Sequence, residues 1–279
     1  MLLSTQTTEL IKKYGYEESI IKLAAAGFDA YDMSMGSKMR DDETDPFNQP
    51  DYLIFASKLR KIADEHHIVC NQAHAPFHGQ FGSDKDRDEI MFNKIVRSME
   101  IASVLGARDI VVHGQQHLIG YCDRNHIKAL NMAFYQRLLP YCEKYQIRVA
   151  IENTRVCNTP EEFCDWVDTL NSPWIGACLD VGHAGLFGVS PDAMVRALGG
   201  KRLIALHVHD NDQVKDLHMI PFTHKIDFDV FTKALHDVGY TGDMTFEADS
   251  FIKFVPEALI DSALKYMHDV GRHLIAMTK

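Results

Sequence analysis

Two hydrophobic rhythms alternate along this chain. Short apolar runs such as Ile147 to Ile151 and Trp174 to Leu179 are separated by longer segments in which apolar positions recur at helical spacing. The short runs predict strands at Met1–Thr5, Phe28–Met33, Ile68–Ala73, Asp109–Val112, Ile147–Ile151, Trp174–Leu179, Arg202–Leu206 and Met244–Phe246. The longer ones predict helices over Ser19–Ala26, Asp51–His66, Asp84–Leu105, Asp123–Tyr145 and Asp227–Val238, with a last one from about Pro256 to Met277. Two more open at Thr159 and Ser190, each followed by proline. At the first, Glu162 stands where it would close a capping box. Gly27, Gly106 and Gly239 are placed to end helices. The acid-rich stretch from Gly36 to Pro50 carries no periodicity and is expected to be a mobile connection over one rim.

Strand and helix candidates thus alternate eight times without a linker, which is the pattern of an α/β (β/α)8 TIM barrel, a single domain over residues 1–279. A doubly wound sheet is the competitor. The chain lacks the Gly-x-Gly-x-x-Gly turn that such sheets use for dinucleotides.

Composition narrows the function classes. With 29 Lys and Arg against 39 Asp and Glu, the net charge of −10 argues against nucleic acid and anionic membranes as partners. No apolar stretch is long enough to span a bilayer. The six cysteines are scattered, none in a Cys-x-x-Cys pair, and no basic start followed by an apolar core opens the chain. Reduced thiols and a cytoplasmic location are therefore expected, with a homo-oligomer left open.

The candidate chemistry collects at the predicted strand ends. Leu179-Asp180-Val181-Gly182-His183 delivers a carboxylate to the tip of an apolar run, with an imidazole three residues on. His74, His113, Glu152, His207 with His209, and Glu247 follow other strands in the same way. A lone strand-end histidine or glutamate is more often structural. In a closed barrel, however, these tips converge on one space, where Glu152, Asp180 and Glu247 would repel one another without a cation between them. Mixed nitrogen and oxygen ligands favour Zn²⁺ or Mn²⁺, with Mg²⁺ and Co²⁺ as alternatives.

The segments Ile151-Glu152-Asn153-Thr154, Leu179-Asp180-Val181-Gly182-His183, Leu206-His207-Val208-His209-Asp210 and Phe246-Glu247 resemble the xylose isomerase-like TIM barrels. That superfamily includes sugar epimerases such as D-tagatose 3-epimerase, inosose-processing enzymes and endonuclease IV. The resemblance implies a metal held by Glu152, Asp180, His207 and Glu247, with Glu152 and Glu247 also moving protons. His74, His113 and His183 match the extra histidines of the endonuclease IV branch, and Asp216-Leu217-His218 resembles its Asp-x-His element, so further metals are implied. The chain departs from that branch after Glu-Asn-Thr, where Arg155-Val156-Cys157-Asn158 replaces a glycine-rich segment. It departs from the epimerases at His209-Asp210, where they often carry Gly-Glu.

The expected activity is proton transfer alpha to the carbonyl of a sugar or sugar phosphate, giving isomerisation or epimerisation. His183 and His209 are candidates for substrate or a further metal. Arg155 and Lys225 are candidates for an anionic substrate group, with a salt bridge to a rim acid as the plainer alternative. The rival readings are an abasic-site endonuclease with a multinuclear zinc centre, and a barrel that binds sugar without turning it over.

Overall fold

The computed structural model describes residues 1–77, 84–116, 119–120 and 122–279. Parallel strands β2 (Ala30–Ser34), β3 (Val69–His74), β4 (Asp109–His113), β5 (Arg148–Glu152), β6 (Ile175–Asp180) and β7 (Leu203–His207) pair in chain order. β1 (Leu3–Thr5) pairs with β8 (Met244–Phe246). Parallel bridges Gln6–Asp32 and Val208–Phe246 join the two sheets and close the TIM barrel that the alternation predicts.

Side-chain direction alternates along each strand, and this sorts the chemistry. Ile110, Val112, Val149, Ile151, Ala177, Leu179 and Leu206 join the main hydrophobic core. Val111, Ala150, Cys178 and Ala205 form a separate small cluster. One pleat further along the same strands come His113, Glu152, Asp180 and His207. The ladder pairs His113 with Glu152 and Asp180 with His207. A floor of small apolar side chains thus lies beneath a layer of ligating ones.

The helices are α1 (Thr8–Ala26), α2 (Gly36–Asp41), α3 (Tyr52–Glu65), α4 (Lys85–Leu105), α5 (Arg124–Tyr145), α6 (Pro160–Leu170), α7 (Val181–Leu186), α8 (Pro191–Arg202), α9 (Phe228–Asp237), α10 (Asp249–Lys253) and α11 (Ile260–Met277). Their starts follow the expected chemistry. The side chains of Asp84, Asp123, Thr159 and Asp227 each accept from backbone N–H groups of the first turn. Gly27 and Gly106 take the left-handed conformation at φ 98° and 94°.

Several expectations need correction. α1 begins at Thr8 rather than Ser19, and a break at Gly15 (φ 81°) hides its first half from the periodicity. The stretch from Gly36 to Pro50 is built, not a mobile connection. It holds α2 and a 3₁₀ turn at Pro46–Asn48, with Met39 and Phe47 fully buried and Tyr16 donating to Asp45 at 2.7 Å. Glu162 does not return to the capping residue; its carboxylate accepts from Asn158 N and from Arg124. Ser190 makes no side-chain cap. The last helix opens as a 3₁₀ turn at Glu257–Leu259 before α11 begins.

Candidate active site

The strand tips deliver one cluster. Ligand atoms of Glu152, Asp180, His207 and Glu247 all lie within 4.8 Å of one another, and all four residues are buried. His207 Nδ1 stands 3.0 Å from Glu247 Oε2 and 3.6 Å from Glu152 Oε2. On its other side, His207 Nε2 is 3.3 Å from Asp32 Oδ2, which also accepts from Gln72 Nε2. With a proton on Nε2 for Asp32, Nδ1 presents a lone pair to two carboxylates.

That confrontation is the test of whether these residues suit a divalent cation. His207 Nδ1 and Glu247 Oε2 are buried and make no hydrogen bond, and Glu152 Oε2 is buried with only imidazole nitrogens beside it. Acceptors facing one another away from water are costly unless something positive lies between them. A proton on His207 is one answer. Burial works to lower the affinity of this imidazole for a proton, but Cys178, Glu247 and Glu152 outweigh it and raise the pKa well above the usual histidine range. Burial likewise works to raise the carboxyls of Glu152 and Glu247. The imidazoles of His113 and His207 beside the first, and of His207 beside the second, hold both well below the usual range. A divalent ion is the other answer, and the donor set of three carboxylates and one imidazole fits it.

The extra histidines lie on the same cluster. His113 Nε2 is 2.8 Å and His74 Nε2 3.4 Å from Glu152 Oε2. His183, Asp216 and His218 form a second group within 4.8 Å, with both imidazole Nε2 atoms on Asp216 Oδ2 at 3.2 and 3.0 Å. His183 sits in the first turn of α7, which Asp180 caps through His183 N. Asn153 ties this corner together. Its Oδ1 accepts from Asp180 N, its Nδ2 donates to Asp180 O, and its carbonyl contacts His183 Nδ1. Asp210 accepts from Asn211 N, His224 N and Ile226 N, which folds the following loop back so that Asp216 and His218 reach the cavity. His218 has φ 48°, a left-handed conformation few non-glycine residues adopt.

His209 is fully buried, with Nε2 3.1 Å from both Asp180 oxygens and its ring stacked on His218 at 4.3 Å. It does not line the cavity. Gly182 is required beside it, since a Cβ there would overlap the His209 ring.

Two of the four, Glu152 and Glu247, line a cavity of about 480 Å³; Asp180 and His207 are fully buried and do not line it. Glu152, Glu247, His74, His113, His183, Asp216 and His218 line it, with Phe77, Leu186 and Phe187 as apolar walls. Arg155 lines the cavity. Lys225 does not; it is exposed and its backbone N–H donates to Asn211 O. Asp32 and Gln6, both at the site, are not singled out by the sequence. Asp32 sits within β2, where it reads as one polar position of an ordinary alternation. Gln6 Nε2 donates to Glu247 Oε1 at 2.7 Å, from a position just past β1 that carries no charge to attract notice.

The sequence model of the family described as "Xylose isomerase-like TIM barrel" matches residues 20–270. Among curated relatives, an uncharacterised protein of Sinorhizobium fredii is 28% identical over 171 residues, 57% of this chain. The chain spans about half that relative's length, 51%. The inosose isomerase of Bacillus subtilis is 24% identical over 211 residues, 69% of this chain and 74% of its own. Among solved structures, a D-psicose 3-epimerase crystallised in the presence of D-fructose superposes with a TM-score of 0.79 at 15% identity, covering 100% of both chains. At that identity the likeness is one of fold.

Proposed function

Because the chain belongs to the xylose isomerase-like TIM-barrel family, a family with sugar isomerases and epimerases among this chain's relatives, we propose that it is a metal-dependent isomerase or epimerase of a sugar or sugar phosphate. The observation that carries this reading is the pair of buried carboxylates, Glu152 and Glu247, which both lie against His207 Nδ1 and both line one cavity. A Zn²⁺ or Mn²⁺ ion held by Glu152, Asp180, His207 and Glu247 supplies, when bound, positive charge beside the substrate carbonyl and so makes the neighbouring C–H more acidic.

The chain's own residues do the rest. Glu152 and Glu247 are held ionised, the form that accepts a proton. One removes the proton alpha to the carbonyl; the other returns it. Return to the opposite face of the same carbon epimerises, and return to the adjacent carbon isomerises. Gln6 fixes the rotamer of Glu247 through Oε1. Asp32 orients His207, and Asn153 fixes the Asp180 backbone.

The test is incubation of the metal-loaded protein with ketoses and keto-inositols in D₂O. Deuterium at the carbon alpha to the carbonyl is the expected result. A protein that binds its metal and exchanges no proton into any of them would instead be a sugar-binding barrel.

One observation favours a second reading. The His183–Asp216–His218 group, with His74 and His113 on Glu152, offers ligands for more than one ion, as a zinc phosphodiesterase uses. The net charge of −10 opposes a DNA substrate. Two or more metals per chain together with cleavage of an abasic duplex would establish it.

A further inference from the structure

One side of the cavity has hydrogen-bond donors and no acceptor for them. Arg155, just past β5, lines the cavity with an exposed guanidinium that has no hydrogen bond or ion pair among the described residues. Its backbone N–H donates to Gln116 Oε1 at 3.1 Å. That bond fixes the amide of Gln116, beyond β4, and leaves its NH₂ without a protein acceptor among the described residues. Thr154, the residue before Arg155, also lines the cavity; it is 5% exposed and its hydroxyl is buried and unpartnered. The other arginine of the cavity wall is different: Asp41 holds Arg40 through two hydrogen bonds of 2.7 Å, and Nη1 donates to Phe77 O.

A free arginine is unexpected in a chain with 39 acids to 29 bases. Neutral sugar hydroxyls do not call for one. A guanidinium fork beside an amide and a hydroxyl matches a group with several anionic oxygens. We propose that Arg155, Gln116 and Thr154 form the subsite for the phosphate of a phosphorylated substrate, whose sugar carbons extend to Glu152 and Glu247. This rests on the sugar-isomerase reading and narrows its substrate to a sugar phosphate. The cavity, at about 480 Å³, leaves room for the phosphate beyond the reacting carbons.

The test uses unreactive probes, so that binding is read apart from turnover. Ribitol 5-phosphate, ribitol and ribonate are titrated calorimetrically into the metal-loaded protein, its R155A variant and its Q116A variant. Wild type is expected to bind the phosphate about 10- to 100-fold more tightly than ribitol. R155A is expected to bring that ratio near one, and Q116A to lower it. Equal binding of ribitol and its phosphate, or no binding of either, overturns the proposal. So does a preference that survives in R155A, which would place the phosphate on the metal, and so does tighter binding of ribonate, which would make the group a carboxylate. A phosphate preference lost in R155A without deuterium exchange into any ketose phosphate would keep the subsite and sink the isomerase reading. Exchange without the preference would do the reverse.

Discussion

Asp32 lies 3.3 Å from His207 through Oδ2 and Nε2, both side chains fully buried, one on β2 and the other on β7. The carboxylate fixes which imidazole nitrogen carries the proton and so aims the Nδ1 lone pair at the centre of the cluster. Asp32→Asn is therefore expected to weaken metal binding about 10- to 100-fold while leaving the four proposed ligands in place. Competition against a zinc-sensitive dye measures it. Unchanged affinity would mean that His207 needs no outer partner.

Glu152→Gln and Glu247→Gln keep an oxygen in each ligand position but remove the base. Each is expected to lower proton exchange into substrate by about 10²- to 10⁴-fold. Metal content is measured alongside, because both residues are also proposed ligands. If either variant retains both its metal and the full exchange rate, its assigned proton role is wrong.

Gly182 and His209 form a matched pair. A methyl at Gly182 would overlap the His209 ring, which in turn holds Asp180 through Nε2. Gly182→Ala is expected to destabilise the fold by about 1–3 kcal/mol, the usual cost of overpacking. His209→Ala frees the space but leaves the Asp180 carboxylate without its imidazole neighbour, with only the His183 N–H among the described residues still donating to it. In urea denaturation the double variant should lose less than the sum of the two single losses. Simple additivity would show that the ring is displaced at no cost.

These relationships were legible from the sequence to different degrees, for physical reasons. β5 and β6 announce themselves because Val149, Ile151, Ala177 and Leu179 face the helices and must be apolar, so the carboxylates Glu152 and Asp180 stand out at their ends. The four proposed ligands converge because closure of the barrel, and not spacing along the chain, brings them together. Asp32 and Gln6 were missed because a residue that acts through another carries no pattern of its own. The stretch from Gly36 to Pro50 was misread because contacts from distant parts of the chain build it. Lys94 donates to Met39 O and Arg40 O, and Tyr16 donates to Asp45, none of which local periodicity can show. Lys225 stands out in the sequence by its charge, and in the fold it is exposed and does not line the cavity.

Barrel closure at the far end has its own electrostatic signature. Asp29 accepts from Leu3 N at 2.7 Å and from Arg272 Nη2 at 2.6 Å, tying β1 to the segment before β2 and to α11. Partial burial works to raise this carboxyl, but the Arg272 hydrogen bond, the Leu3 N–H and the charges of Arg272 and His268 prevail and hold it below the usual aspartate range. A carboxyl with a depressed folded-state pKa adds stability that is full above its unfolded value of about 3.9 and fades as pH falls through the folded value. The Asp29 side chain is half-buried and its partner Arg272 is reached by solvent, so screening limits the contribution to about 0.5–1 kcal/mol. Asp29→Asn should therefore cost about that much in urea denaturation at pH 7 and progressively less below about pH 4. The difference between wild type and variant should also shrink in high salt, since the guanidinium is reached by solvent. A loss of equal size at pH 7 and at pH 3 would assign the role of Asp29 to its neutral hydrogen bond with Leu3 and leave Arg272 without an electrostatic part in closing the barrel.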